Sequence, residues 1–168
     1  MVKAILACDD FGGVSRGGTM PWPKNSKDLK WFKEKTTGHT VVMGSTTWED
    51  PFMNGPLPNR TNVLVTTREG DYLGAHKYIQ GNLAQKIQTL EGERKETTVW
   101  IIGGPNIIKQ TLNIIDEFYL SRISGIYDCD TFLPLKKIEA LFEKSWTENH
   151  GSLEFQIWKK RKSHETIS

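Results

Sequence analysis

Short runs of apolar and β-branched residues recur along the chain, with helical candidates between them. The runs that predict β-strands cover residues 2–8, 39–44, 62–67, 77–80, 98–103, 117–123 and 153–160. Several are apolar at consecutive positions, as in Val99 to Ile102, which is typical of strands buried on both faces of a sheet. The segments that predict helices cover residues 26–37, 47–53, 82–91 and 105–114.

Strands that alternate with helices predict an α/β fold with a largely parallel sheet. The C-terminal part differs, because residues 142–149 and 153–160 predict two strands joined by a turn. We therefore predict a single domain over residues 1–168, with a polar tail from about residue 162. Its twisted, mostly parallel sheet should have about eight strands and an antiparallel C-terminal edge, flanked by about four helices.

Of the 168 residues, 37% are hydrophobic and 25% are charged. This composition favours a soluble globular protein. No apolar run is long enough to span a membrane, and the apolar part of the N-terminus is too short for a secretory signal. We therefore expect a cytoplasmic protein with no membrane contact. Two cysteines without CxxC spacing and four histidines without a ligand pattern predict no metal site.

The longest segment without predicted regular structure, residues 9–25, leads into the helix predicted at 26–37. Loops longer than about 12–15 residues in compact domains are usually functional or disordered. Ser26 is a residue type that caps helix N-termini, and Gly38 a type that ends helices. An isolated acid, Asp28, falls in the first turn, where a carboxylate interacts favourably with the helix dipole.

Asp28 also shares a predicted helix face with apolar and small residues, namely Leu29, Phe32 and Thr36. A buried carboxylate must be paired, protonated or bound to a ligand. The lysines nearest in sequence are expected on other faces of the helix. A flat heterocycle with two N–H donors would suit Asp28, so the pattern leaves open whether this acid supports the helix or binds a ligand.

Three strand ends carry residue types that suit phosphate groups. Gly103 and Gly104 follow a buried strand and let the backbone approach a ligand closely. Hydroxyl residues and one arginine follow two other strands: Ser45, Thr46, Thr47, Thr66, Thr67 and Arg68. Each junction alone could be a turn or a helix cap, but ligands of open α/β sheets bind at strand carboxyl ends. Three such junctions together favour a dinucleotide.

Seven short motifs follow one another along the chain: MPW (20–22), DLKWFK (28–33), VVMGSTTW (41–48), PLPNR (56–60), IIGGPNI (101–107), FYLSRI (118–123) and DCDTFLP (128–134). In this order and near this spacing, they make the chain resemble the dihydrofolate reductase family over nearly its full length. The resemblance implies an NADPH-dependent oxidoreductase that transfers a hydride to C6 of 7,8-dihydrofolate, giving tetrahydrofolate for thymidylate, purine and one-carbon metabolism. It also implies binding of antifolate-type molecules, and we expect a monomer.

The resemblance assigns a role to each matching position. Asp28 would bind the pteridine ring, and Met20 and Trp22 would belong to a mobile loop over the nicotinamide. Arg60 would pair with the α-carboxylate of the substrate's glutamate, and Asp130 would lie in the loop that props the lid closed. The other substrate-binding residues would be Ile5, Leu29, Phe32, Lys33, Leu57, Ile102 and Ser121. The cofactor-binding residues would be Ala7, Val14, Thr19, Gly44, Ser45, Thr46, Thr47, Thr66, Thr67, Arg68, Gly103, Gly104, Pro105, Asn106 and Ile107.

The chain departs from the family pattern at three positions. Many relatives have an arginine for the 2′-phosphate of NADPH where this chain has Ser45, and we expect Arg68 to supply that charge. Ile108 stands where bacterial relatives often have a tyrosine, and Ser15 replaces a frequent lid glycine.

Parts of the sequence would also suit two other functions. A reductase of the riboflavin pathway would share the fold and cofactor, but such enzymes generally lack the MPW loop joined to an acid-led helix and the LPxR arginine. A non-enzymatic nucleic-acid-binding module would use the basic cluster at 159–162. The net charge of +2 is too small to favour it, and we expect no nucleic-acid partner.

Overall fold

The computed structural model describes residues 1–50, 56–66, 75, 77–79, 82–93 and 96–162, with backbone only for 77–79. The strands are β1 (Val2–Cys8), β2 (Gly13–Ser15), β3 (Thr40–Gly44), β4 (Thr61–Val65), β5 (Lys77–Ile79), β6 (Val99–Gly103), β7 (Glu117–Ile123), β8 (Thr131–Phe132), β9 (Phe142–His150) and β10 (Leu153–Lys160). The α-helices are α1 (Ser26–Thr36), α2 (Ser45–Glu49), α3 (Leu83–Glu93), α4 (Pro105–Thr111) and α5 (Leu135–Leu141). A short 3₁₀ turn, Leu112–Ile114, follows α4.

Eight strands form one sheet in the order β5-β4-β3-β6-β1-β7-β10-β9. Every neighbouring pair from β5 to β7 is parallel, whereas β10 runs antiparallel to both β7 and β9. The predicted mostly parallel sheet with an antiparallel C-terminal edge is therefore confirmed. Because the parallel strands point the same way, their carboxyl ends meet at one edge of the sheet.

Apolar side chains cover both faces of the central strands. Along β1, Ala4 and Leu6 pack into one hydrophobic cluster, while Ile5 and Ala7 pack into the cluster on the other face. This alternation follows from the two-residue period of a strand, and it accounts for the consecutive apolar positions in the sequence. Helices α3, α4 and α5 contribute to the first cluster, and α1 contributes Trp31 to the second.

Three features of the fold differ from the sequence prediction. Five α-helices are present among the described residues rather than about four. Helix α5 was not predicted, because it is short and buries only Ile138. Helix α2 ends at Glu49 instead of extending to residue 53, since Asp50 precedes a proline and adopts extended backbone. The small sheet of β2 and β8 was not predicted, because strands of three and two residues carry no periodic signal.

None of the described helices combines the length and apolar character needed to span a membrane. In the same part of the chain, no group of three or more His, Cys, Asp or Glu side chains could hold a metal ion. Residues 163–168 of the predicted polar tail lie outside the described residues.

Candidate active site

The start of α1 is set by Asn25 and not, as predicted, by Ser26. The Asn25 side-chain oxygen accepts hydrogen bonds from the backbone N–H groups of Lys27, at 3.0 Å, and Asp28, at 3.1 Å. Asn and Ser are both favoured at this position, so the sequence could not choose between neighbours. Since Asn25 already caps these N–H groups, the carboxylate of Asp28 has no capping task.

The Asp28 side chain is partly buried in the wall of a cavity. Burial raises its pKa, and a hydrogen bond from the Ser121 hydroxyl partly opposes this rise. Among the described residues, no Lys or Arg forms an ion pair with this carboxylate. The charged form of such a carboxylate is stabilised by a ligand that brings its own N–H donors or positive charge.

Asp28 faces a cavity of about 1000 Å³, large enough for a substrate and a cofactor side by side. The carboxyl-terminal parts of β1, β3, β4 and β6 contribute to its wall, as expected for an open α/β sheet. All the residues predicted to bind substrate line this one cavity: Ile5, Asp28, Leu29, Phe32, Lys33, Leu57, Arg60, Ile102 and Ser121. Residues from β1, α1, the segment 57–60, β6 and β7 thus meet in one cavity. The part of the cavity that they line is its substrate end.

Two hydrogen bonds orient the Arg60 guanidinium at this end of the cavity. Its Nε donates to the carbonyl of Pro58 at 2.9 Å, and its Nη1 donates to Thr36 Oγ1 at 3.1 Å. The Thr36 hydroxyl in turn donates to the Phe32 carbonyl within α1, at 2.8 Å. Arg60 is only 9% exposed, and burial lowers its pKa. A guanidinium fixed in orientation favours bidentate binding of a carboxylate.

The other end of the cavity collects most of the predicted cofactor residues. Those that line it are Ala7, Val14, Gly44, Ser45, Thr46, Thr47, Thr66, Gly103, Gly104, Pro105, Asn106 and Ile107. Thr67 and Arg68 lie outside the described residues. Thr19 and Trp22 are described but do not line the cavity; Trp22 is buried, with its ring edge-on to Tyr127 at 5.7 Å between centroids.

The glycine pair presents bare backbone to the cavity. Gly103 has a φ of +131°, which L-residues with side chains rarely adopt, and the peptide bond to Gly104 is cis. A Cβ at Gly103 would also lie 3.4 Å from Thr47 Oγ1 and 3.5 Å from Leu6 Cδ2. Close backbone approach at this end, together with the hydroxyls of α2, fits a dinucleotide.

The long loop predicted at residues 9–25 is pinned to the chain around residue 130. The Gly17 N–H donates to Asp130 Oδ2, and the Asp130 N–H donates to the Ser15 carbonyl, both at 2.9 Å. The β2–β8 pairing extends this contact. Met20 and Ser15 line the cavity from the loop, so the loop closes one side of it.

The sequence prediction missed several residues that line the cavity: Leu6, Gly18, Asp50, Val65, Leu83, Lys109, Gln110, Thr131 and Phe132. Lys109 and Gln110 lie three and four positions after Asn106, so helical spacing along α4 could have identified them. Thr131 and Phe132 belong to the DCDTFLP motif. Ile108, in contrast, is fully buried in the core and does not line the cavity.

Comparison with known proteins agrees with this geometry. The protein-family model for dihydrofolate reductase matches residues 1–160. The dihydrofolate reductase of Mycobacterium leprae is 36% identical over 134 residues, 79% of this chain and 74% of that protein. That of Mycobacterium tuberculosis is 31% identical over 159 residues, 92% of this chain and 89% of that protein. A solved structure of dihydrofolate reductase from Enterococcus faecalis, complexed with NADP(H) and RAB-propyl, matches with a TM-score of 0.84 and 26% identity, covering 96% of this chain and 97% of that one. The chain therefore belongs to the dihydrofolate reductase family.

Proposed function

We propose that this chain reduces 7,8-dihydrofolate to tetrahydrofolate, with NADPH as the hydride donor. Members of the family are NADPH-dependent oxidoreductases acting on dihydrofolate. The observation that carries the proposal is the partly buried carboxylate of Asp28, which has a raised pKa and shares one cavity with the Gly103–Gly104 turn. One end of that cavity suits a flat nitrogen heterocycle and the other suits a dinucleotide.

Asp28 is proposed to bind the pteridine ring through the 2-amino group and the adjacent ring nitrogen. A carboxylate can accept both N–H groups in one plane, and its low-dielectric surroundings strengthen the interaction. The expected pose keeps Asp28 away from N5, so its task is to bind and polarise the ring while water delivers the proton. Met20, which lines the cavity from the loop, would limit access of bulk water. Trp22 does not itself line the cavity, and we propose that it helps to order that water molecule from its place in the same loop.

The apolar residues around Asp28 would hold the pteridine and benzoyl groups by contact alone. Leu29 and Phe32 follow Asp28 on α1, and Ile5, Leu57 and Ile102 line the same cavity. Arg60 is proposed to pair with the α-carboxylate of the glutamate. Support comes from the two hydrogen bonds that already orient its guanidinium.

NADPH would supply the hydride when bound at the other end of the cavity. Gly103 and Gly104 would allow close approach, and the hydroxyls of Ser45, Thr46, Thr47 and Thr66 would donate to its phosphates. Arg68 is proposed to pair with the 2′-phosphate, because Ser45 cannot supply the charge that an arginine would.

The product would supply one-carbon units for thymidylate and purine synthesis, in a cytoplasmic and monomeric enzyme that antifolates inhibit. A riboflavin-pathway reductase of the same fold is the alternative. Methotrexate separates the two proposals, because tight binding should require the Asp28 carboxylate. We expect wild-type protein to bind methotrexate and Asp28→Asn to bind it at least 100-fold more weakly, as for loss of a buried charged partner. Equal affinity of wild type and Asp28→Asn for methotrexate would contradict the proposed role of Asp28 in binding folates.

A further inference from the structure

A second buried carboxylate, outside the cavity, joins two segments of the chain. Asp9 follows β1 directly and is 1% exposed. Its Oδ1 accepts hydrogen bonds from the backbone N–H groups of Phe11, at 2.9 Å, and Gly13, at 2.8 Å. Its Oδ2 accepts from the N–H of Tyr127, at 3.2 Å, and from the Cys129 thiol, at 3.5 Å. Each carboxylate oxygen therefore serves a different segment.

The two segments together form one side of the cavity. Residues 10–20, the lid segment, contribute Val14, Ser15, Gly18 and Met20 to its wall. Residues 124–132, the support segment, contribute Asp130, Thr131 and Phe132. Asp9 itself does not line the cavity, so any effect it has on the reaction must pass through these segments.

The lid segment and the support segment are closely packed beside Asp9. A Cβ at Gly13 would lie 2.5 Å from Cys129 Cβ, 2.6 Å from Cys129 Sγ and 2.9 Å from Asp9 Oδ2. The lid segment therefore meets the support segment at backbone distance. Separating them would leave one oxygen of a buried carboxylate without its donors, which is costly because buried charge must be hydrogen-bonded.

Asp130 joins the same two segments near the tip of the lid, by accepting from the Gly17 N–H. Exposed Asp10 adds a further link, because its Oδ2 accepts from the Gly125 N–H at 2.9 Å. Three carboxylates thus join the lid segment to the support segment, and Asp9 is the most deeply buried of them.

We propose that Asp9 is a positioning residue for the hydride transfer: by holding the lid segment against the support segment, it fixes the lid over the reacting groups. This proposal rests on the proposed function. A displacement of about 1 Å in a positioning element can slow a reaction roughly 100-fold without removing any group that contacts substrate.

The substitution Asp9→Asn tests the proposal with almost no change in shape. The amide keeps one acceptor oxygen, but its NH₂ group faces the donors of the other segment and cannot accept from them. We expect the single-turnover rate constant for hydride transfer to fall at least tenfold, and the isotope effect on kcat with 4-deuterated NADPH to increase. Methotrexate affinity without cofactor should stay within about threefold, because the Asp28 pocket is intact.

Glu143→Gln provides a control outside both segments. Glu143 is an exposed carboxylate on the strand β9 and does not line the cavity. The substitution removes one negative charge with almost no change in shape, so the hydride-transfer rate should stay within about twofold of wild type.

Hydride transfer at the wild-type rate in folded Asp9→Asn would overturn the proposal. Parallel losses in hydride transfer and methotrexate binding would also overturn it, because they indicate general structural damage. If Asp9→Asn does not fold, Gly13→Ala separates the segments while keeping Asp9, and a normal rate in that variant contradicts the proposal. Wild type that fails to reduce dihydrofolate would instead refute the proposed function.

Discussion

Ser121, on the central strand β7, and Asp28, on the first turn of α1, line the same cavity, and the Ser121 hydroxyl stabilises the charged form of the Asp28 carboxylate. Ser121 is 1% exposed, so this donor is fixed by the sheet behind the cavity. Burial raises the pKa of Asp28, and the hydroxyl limits that rise by stabilising the charged form. The charged form of the carboxylate is thereby kept available for a ligand in a partly buried position.

The raised pKa of Asp28 predicts a stability cost that depends on pH. Because the folded state binds this proton more tightly than the unfolded chain, the cost is fully present above the folded pKa and absent below the unfolded value of about 3.9. We expect Asp28→Asn to unfold at a higher temperature than wild type at pH 7, with the difference shrinking as pH falls. Thermal unfolding across that pH range measures it. A variant that is less stable than wild type at pH 7 would contradict this.

Removal of the Ser121 hydroxyl should raise the pKa of Asp28 further, since the charged form loses a donor. In Ser121→Ala, the free energy of unfolding at pH 7 should fall by about 1–3 kcal/mol, as for other hydrogen bonds to charged groups. Carbon-13 NMR of the aspartate carboxyls would follow the pKa, and denaturant titration the stability. Exposed Ser124→Ala is the control and should change neither. A lowered Asp28 pKa in Ser121→Ala would show that the hydroxyl acts differently.

Arg60→Lys should affect binding of substrate more than its turnover. The guanidinium of Arg60 bonds Pro58 and Thr36 and still has donors left for a carboxylate. Lysine, with a single ammonium group, cannot make all these bonds in the same geometry. We expect KM for dihydrofolate to rise at least tenfold, with kcat within about threefold. Dihydropteroate, which lacks the glutamate, should show the same KM with both enzymes. If its KM rises equally, Arg60 does not bind the glutamate.

Arg68 is predicted to determine the preference for NADPH. In Arg68→Ala, the ratio of kcat/KM for NADPH to that for NADH should fall at least tenfold, because a charge-assisted bond is worth about 1.5–3 kcal/mol. Lys109 is the competing candidate, since it lies on α4 and lines the cavity. A ratio that drops in Lys109→Ala and not in Arg68→Ala would assign the phosphate to the lysine.

The sequence predicted those parts of the molecule in which local pattern and tertiary role agree. Consecutive apolar residues such as Val99–Ile102 identify central strands, and the Asp28 helix face identifies the cavity wall. The β2–β8 pairing and the Asp9 cluster could not be predicted, because they arise from contacts between residues more than 100 positions apart. The end of α2 could have been predicted, since a proline follows Asp50.

The most direct test of the proposed function is consumption of NADPH on addition of dihydrofolate, measured for wild type and Asp28→Asn together. We predict turnover by wild type and a loss of roughly 100-fold or more in kcat/KM for the variant, since the ring would lose its buried charged partner. Comparable turnover by both proteins would contradict the role assigned to Asp28. No turnover by wild type, although it is folded and binds NADPH, would contradict the proposed reaction itself.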